Sequence, residues 1–93
     1  MKTKIQDGNT DNLINIFKEL NYKIIYNTGA TIYGVYQVGI NFIQVAICLD
    51  IDLIDVHTEY NENKKDEYIE IPSDMTKKDL RELLNNIKSN IEG

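Results

Sequence analysis

The sequence predicts an α+β fold: an antiparallel sheet of three to five strands with an N-terminal and a C-terminal helix packed on one face (α-β-β-β-(β)-β-α). Three observations indicate this fold. Residues 31–49 are rich in β-branched and aromatic side chains and are interrupted by Gly39-Ile40, which is typical of a β-hairpin. Further alternating runs follow up to residue 71. An apolar stripe with helical spacing lies towards each end of the chain.

The chain of 93 residues, 42% of them hydrophobic, is long enough for one modest core, so residues 1–93 are predicted to form a single domain. Residues 1–8 are predicted to be a loose N-terminal arm, and they lack the apolar stretch of a signal peptide. No window approaches the roughly 18 apolar residues of a membrane span. Cys48 is the single cysteine and can form no internal disulfide. We therefore expect a cytoplasmic protein.

The first helix is predicted to begin at Thr10 or Asp11, because both side chains can accept a hydrogen bond from a free backbone N–H group. It is expected to run to about Asn21. Its apolar stripe recurs at three- and four-residue spacing and consists of Leu13, Ile14, Ile16, Phe17 and Leu20. A short strand around residues 22–27 follows and closes at a turn that contains Gly29.

The central hairpin takes its register from Gly39-Ile40, since a two-residue loop with glycine first is typical of a type II′ turn. The face predicted to be buried pairs Val38 with Asn41, Tyr36 with Ile43, Gly34 with Val45, Ile32 with Ile47 and Ala30 with Leu49. The opposite face carries Thr31, Tyr33, Val35 and Gln37 against Cys48, Ala46, Gln44 and Phe42. In mid-strand on the buried face, Gly34 either leaves room for a helix to approach closely or marks a bulge.

Two interpretations fit the stretch that follows the hairpin. Either the third strand is long and bent by a bulge near Leu53, or a turn at residues 50–52 starts a fourth strand from Leu53 to Tyr60. The absence of Gly, Pro and Asn from this turn favours the long strand. Residues 61–66 are all polar and predict a turn, after which the alternating residues 67–71 are expected to pair with the preceding strand.

The C-terminal helix has a predicted start and a predicted face. Pro72 stops the preceding strand, and Thr76 with Asp79 three residues on resembles a capping box. The apolar stripe of the helix consists of Leu80, Leu83, Leu84, Ile87 and Ile91. Its asparagines and lysines are expected to face water.

The net charge of −5 is unevenly distributed, because residues 50–74 hold nine acids and two lysines and so carry −7. Alternate residues of a strand point the same way, so Asp55, His57 and Glu59 are expected to share one face, as are Asp50 and Asp52. Such an array repels nucleic acid and attracts basic surfaces. It is also typical of a solvated sheet edge whose charges discourage strand-to-strand aggregation, and this simpler interpretation is the favoured one.

Catalytic and metal chemistry find little support in the sequence. Asp55, His57 and Glu59 would span about 13 Å along one strand, too far for a single ion at roughly 2 Å from each ligand. Cys48 could act as a nucleophile with His57 as its base only if a turn brought the two together. With one arginine and no basic patch, the chain is not expected to bind nucleic acid directly. We therefore predict no catalytic residue, no metal and no cofactor.

In size, charge and composition the chain is similar to small acidic inhibitors of phages and mobile elements, anti-CRISPR and anti-restriction proteins among them, and to bacterial immunity proteins; no motif supports a named family. Its heavy use of isoleucine, asparagine and lysine, with arginine once and alanine twice, is typical of an AT-rich genome. The acidic unit and this resemblance lead us to expect a non-catalytic interaction protein that inhibits a basic partner, for example one that binds nucleic acid. The partner-binding residues expected from the pattern are Tyr33, Val35, Phe42, Asp50, Asp52, Asp55 and Glu59.

Two alternatives to the inhibitor remain open on the sequence. One is a small-molecule or metal-dependent site around His57. The other is a homo-oligomeric structural subunit, in which a second copy or the N-terminal arm would cover the outer hairpin face; a homodimer is the simplest such assembly.

Overall fold

The computed structural model describes residues 4–5 and 9–92. The helical elements are a 3-10 helix at Thr10–Leu13, α1 at Ile14–Glu19 and α2 at Lys77–Glu92. The strands are β1 at Lys23–Asn27, β2 at Thr31–Val38, β3 at Asn41–Cys48, β4 at Leu53–Tyr60 and β5 at Asn63–Glu70. All five strands are antiparallel and lie in chain order in one sheet. The α+β architecture predicted from the sequence is confirmed, with five strands.

The predicted register of the central hairpin is confirmed at every pair from Thr31 with Cys48 to Val38 with Asn41. Gly39 has φ of +63°, the left-handed conformation that a type II′ turn needs at its first central position. The middle of the predicted inner face is buried, with Ile43, Val45 and Ile47 all 0% exposed. The prediction is wrong at the two ends of the hairpin, where Val38 is 39% exposed and Ala30 is exposed. We call the sheet face that carries Ile43, Val45 and Ile47 the inner face, and the opposite one the outer face.

Gly34 allows α1 to approach the inner face closely. A Cβ atom at this position would lie 2.5 Å from Cδ2 and Cε2 of the Phe17 ring, which is fully buried. The close approach of a helix is therefore the correct interpretation of this glycine. A bulge exists too, but in the neighbouring strand β1, between Ile24 and Tyr26.

The connection between β3 and β4 corrects the prediction of one long, bent strand. The structure has a turn at residues 49–52 and two separate strands. Asp52 adopts φ of +54°, a conformation that Asp reaches more easily than most residues other than Gly and Asn. The turn is held at both ends by backbone hydrogen bonds, from Leu49 N–H to Ala30 O and from Ile71 N–H to Asp52 O, each 2.8 Å long.

The turn between β4 and β5 is shorter than the predicted polar turn at residues 61–66. Only Asn61 and Glu62 form it, with φ of +51° and +71°, so β5 begins at Asn63. The polar residues 63–66 belong to an edge strand, where both faces can be hydrated and charges discourage further strand pairing. The Asn41 side chain accepts a 2.9 Å hydrogen bond from Asn61 N–H and so ties this turn to β3.

The N-terminal segment differs from the prediction in two places. The Asn9 side chain, not that of Thr10 or Asp11, caps the 3-10 helix by accepting a hydrogen bond from Asp11 N–H. The buried Thr10 hydroxyl donates to the side-chain oxygen of Asn27 instead. Within the predicted loose arm 1–8, the structure describes only residues 4–5, and Ile5 is held in the core at 2% exposure. Residues 1–3 and 6–8 lie outside the described residues.

The predicted capping box of α2 is confirmed, because Thr76 N–H donates to Asp79 Oδ2 at 3.0 Å and Asp79 N–H donates to Thr76 Oγ1 at 3.3 Å. The apolar stripe of α2 packs on the inner face, with Leu80 and Leu84 fully buried. Lys88 does not face water as expected. It is 7% exposed, and its Nζ lies 4.4 Å from the centroid of the Tyr36 ring in a cation–π contact.

Candidate binding surface on the outer face of the sheet

The outer face is the candidate functional surface, because both helices pack on the inner face. Register across the strands places its side chains in rows. The central row consists of Tyr26, Tyr33, Ala46, Asp55 and Tyr68, one residue from each strand. The next row consists of Lys23, Val35, Gln44, His57 and Asp66. The outer face therefore combines aromatic and charged side chains over all five strands.

Two tyrosines form an aromatic pair in the central row. The ring centroids of Tyr26 and Tyr33 lie 5.4 Å apart, at an interplanar angle of 36°. Tyr33 is half-buried, while Tyr26 and Tyr68 are 47% and 68% exposed. Burial raises the pKa of the Tyr33 hydroxyl, and the charges of Tyr26 and Asp55 raise it further. The phenol is thus neutral at physiological pH and keeps its hydrogen-bond donor.

A shallow depression of about 60 Å³ opens in the middle of the outer face. Its lining consists of Tyr33, Gln44, Ala46, Asp55 and His57. Ala46 lies between Tyr33 and Asp55 in the central row, and its small side chain forms the floor. Asp55 is half-buried, and its carboxylate makes no hydrogen bond or ion pair with any residue that the structure describes.

His57 joins β4 to the edge strand β5. Its Nδ1 lies 2.6 Å from Asp66 Oδ1, and its Nε2 lies 2.8 Å from Glu59 Oε2. A neutral imidazole has only one N–H, so the doubly protonated ring alone can donate to both carboxylates. The hydrogen bond to Glu59, then that to Asp66, raises the pKa of His57 above its ordinary value.

The stability of the sheet is expected to depend on pH through His57. Because the pKa of His57 is raised by folding, its contribution is fully present below about pH 6.5 and is lost as the pH rises through the raised value. Contributions of such exposed pairs are about 1 kcal/mol or less. Urea unfolding from pH 5.5 to 9 should show a stability difference between the wild type and His57→Gln that shrinks with rising pH. A difference that grows with pH would contradict the assignment.

The structure brings most of the predicted partner-binding residues together. Tyr33, Val35 and Phe42 lie on the outer face, and so do Asp55 and Glu59. Glu59 is already engaged by His57, and Phe42 flanks the same imidazole at a centroid distance of 6.0 Å.

Two predicted residues lie elsewhere. Asp50 and Asp52 belong to the turn between β3 and β4, at one end of the sheet, and not to a strand face as expected. Both are exposed there. The aromatic residues therefore share a face only with the carboxylates of β4 and β5.

Sequence analysis missed Tyr26, Asp66 and Tyr68 as members of the surface. The bulge in β1 shifts the register by one and places Tyr26 opposite Tyr33, and nothing in the local sequence marks that bulge. Asp66 and Tyr68 lie opposite His57 and Asp55 in β5. Asp66 was missed because residues 61–66 were predicted to be a turn, whereas Tyr68 lies in the predicted strand 67–71 but was not assigned to the outer face.

The described residues form neither a nucleophile–base pair nor a cluster of metal ligands. Cys48 and His57 share the outer face but are four residues apart along paired strands, about 13 Å, so they make no nucleophile and base pair. No three His, Cys, Asp or Glu side chains among residues 4–5 and 9–92 lie close enough to hold one metal ion. No described helix has the length and apolarity needed to cross a membrane.

Comparison of the chain with protein-family models, with curated proteins and with solved structures finds no significant match.

Proposed function

We propose that this chain is a small, acidic, non-catalytic interaction protein that binds a basic partner protein through the outer face of its sheet. One observation carries the proposal. A row of partly exposed tyrosines crosses a sheet face that neither helix covers, and the carboxylate of the half-buried Asp55 in the same row has no partner among the described residues.

The side chains of the outer face suit protein recognition. Tyrosine is enriched at the energetic centres of protein interfaces, because it offers a large contact area at a small cost in conformational entropy. Tyr26 and Tyr33 are pre-organised by their mutual contact, and Phe42 extends the aromatic surface along the hairpin. Carboxylates and two lysines, Lys23 and Lys64, surround these rings, which is typical of a polar rim.

The charge of the chain supports a basic partner. Residues 50–74 carry −7, and they include Asp50 and Asp52 at the end of the sheet next to Glu70. A field of this sign accelerates encounter with basic proteins and disfavours nucleic acid. Occupying a phosphate-binding surface would inhibit a nucleic-acid-binding protein. The small size, the acidity and an amino-acid composition typical of an AT-rich genome support an inhibitor of the phage or mobile-element kind, and the lone cysteine supports a cytoplasmic location.

The Tyr33→Ala variant is expected to fold and to lose binding. Losing the ring contact with Tyr26 should reduce the free energy of unfolding by about 1 kcal/mol. Binding should weaken by about 2 kcal/mol or more, roughly thirtyfold, if Tyr33 is an interface anchor. Thermal unfolding and titration calorimetry with the captured partner measure the two effects separately. A variant without a cooperative unfolding transition would show that this face is interior.

Affinity capture from a low-GC bacterial lysate tests the proposal itself. Captured protein should be basic and should be released as salt rises from 0.05 to 0.5 M, because charges on the surface become screened. Asp55→Lys should abolish capture, whereas Glu82→Lys, the same charge change on an exposed position of α2, should retain it. Equal capture by both variants would contradict binding through the outer face.

Self-association of the chain through the outer face would contradict this proposal. Size-exclusion chromatography of the purified protein is expected to give the 10.8 kDa monomer. A dimer that Tyr33→Ala converts to a monomer would assign the outer face to contact between copies of the chain.

A further inference from the structure

We propose that the depression on the outer face receives the guanidinium group of an arginine side chain of the basic partner. This inference rests on the proposed function and identifies the chemical group that the centre of the surface recognises. It follows from the shape of the depression, the unused carboxylate of Asp55 and the charge around them.

The shape follows from the order of side chains in the central row. Tyr33 and Asp55 lie on β2 and β4 and are separated by Ala46 of β3. Because alanine rises only one carbon above the sheet, the larger side chains on either side form walls around it. Gln44 and His57, which are paired in the adjacent row, close the depression on a third side. The volume of the depression, about 60 Å³, is large enough for the end of one side chain and too small for a drug-sized ligand.

The carboxylate of Asp55 favours a cationic donor. Asp55 is half-buried, and its carboxylate makes no hydrogen bond or ion pair with the described residues, so both carboxylate oxygens remain available as acceptors. A carboxylate that lacks a hydrogen-bond partner is stabilised most by a charged donor. Guanidinium can donate two parallel N–H groups to the two oxygens.

The other walls favour arginine over lysine. The Tyr33 ring offers a face on which a planar guanidinium can lie, and cation–π contacts involve arginine more often than lysine. The amide oxygen of Gln44, on the third side of the depression, can accept a further N–H. Lysine has a compact ammonium group that cannot contact the carboxylate through two parallel bonds and the ring at the same time.

The charge around the depression remains negative although His57 lines it. The imidazolium of His57 is flanked by Glu59 and Asp66, so with Asp55 these four groups sum to −2. Lys64, which lies opposite Glu59, reduces the sum to −1. Among the described strand residues, Lys23 is the remaining cation of the face; it lies opposite Val35 and three strands away from His57. A cation is therefore attracted to the depression and an anion is not.

Titration of the ¹⁵N-labelled chain with ethylguanidinium tests the proposal, with the neutral ethylurea as a matched probe. Ethylguanidinium should shift the amide signals of Ala46 and Asp55 with a dissociation constant in the millimolar range, and ethylurea should not. Ethylammonium should bind several-fold more weakly. Asp55→Asn should weaken ethylguanidinium binding at least tenfold, whereas Glu82→Gln, on an exposed position of α2, should leave it unchanged.

A second variant tests the shape without changing charge. Ala46→Leu fills the depression and should also remove the ethylguanidinium shifts. Equal shifts with ethylurea, or ethylguanidinium binding that survives both Asp55→Asn and Ala46→Leu, would overturn the inference. If ethylguanidinium fails to bind while Asp55→Lys still abolishes capture of the partner, the proposed function stands and the arginine site does not. If ethylguanidinium binds while capture is unaffected by Asp55→Lys, the proposed function falls.

Discussion

The Leu84→Asp variant is expected to show no cooperative unfolding transition at neutral pH. Leu84 lies in the middle of α2, is 0% exposed and belongs to the core between the helices and the inner face of the sheet. An aspartate there buries an unpaired charge and removes apolar contacts as well. The combined loss exceeds about 5 kcal/mol. A domain of this size has about 5–15 kcal/mol of stability in total.

The matched control is Asn85→Asp, which adds the same charge one residue further along α2 at an exposed position. It should change stability by roughly 0.5 kcal/mol or less. Circular dichroism during urea titration measures both variants. A cooperative transition for Leu84→Asp near that of Asn85→Asp would contradict the placement of α2 on the sheet.

The Gly34→Ala variant is expected to lose about 1–3 kcal/mol of stability, the usual range for overpacking a core. The new Cβ atom would lie 2.5 Å from two carbon atoms of the Phe17 ring, far inside van der Waals contact. Phe17 is fully buried, and its ring is packed against Tyr22 at a centroid distance of 5.5 Å. The ring cannot move away without displacing α1. On an exposed strand the same substitution would be mildly stabilising, since glycine has the greater conformational entropy when unfolded.

A double-mutant cycle separates this clash from a general intolerance of substitution. Phe17→Leu removes the ring edge that the new Cβ atom would meet, so Gly34→Ala should cost at least about 1 kcal/mol less in the Phe17→Leu background. The midpoints of urea unfolding for the four proteins measure this coupling. Additive losses would show that the two residues do not touch.

The register of the central hairpin could be predicted from the sequence because several signals coincide there. Gly39 selects the turn, and only one register keeps Ile43, Val45 and Ile47 together on one face. The capping box of α2 was equally visible, since Thr76 and Asp79 are three residues apart in the sequence.

The remaining turns depend on backbone conformations that cannot be predicted from the residue types alone. Asp52 and Glu62 adopt positive φ without being glycine, so the separation of β3 from β4 and the start of β5 were misjudged. The bulge near Tyr26 is decided by how β1 fits the edge of β2, which is a tertiary effect.

These errors limited the prediction of the surface more than that of the fold. Tyr33, Phe42 and Asp55 were identified, because their face follows from the hairpin and the strand after it. The contact of His57 with Asp66 was not predicted, because it depends on the register between β4 and β5. Asp50 and Asp52 were assigned to a strand face because the turn between β3 and β4 was not predicted.

Hydroxyl-radical footprinting of the free chain and of its captured complex tests the central claim most directly. Tyr26, Tyr33 and Phe42 of the outer face should be oxidised in the free monomer and protected in the complex. Met75, which lies just before α2 and packs against the core on the inner face of the sheet, should be oxidised equally in the free chain and in the complex. Unchanged oxidation of the three aromatic residues in the complex, with protection of α2 instead, would contradict binding through the outer face.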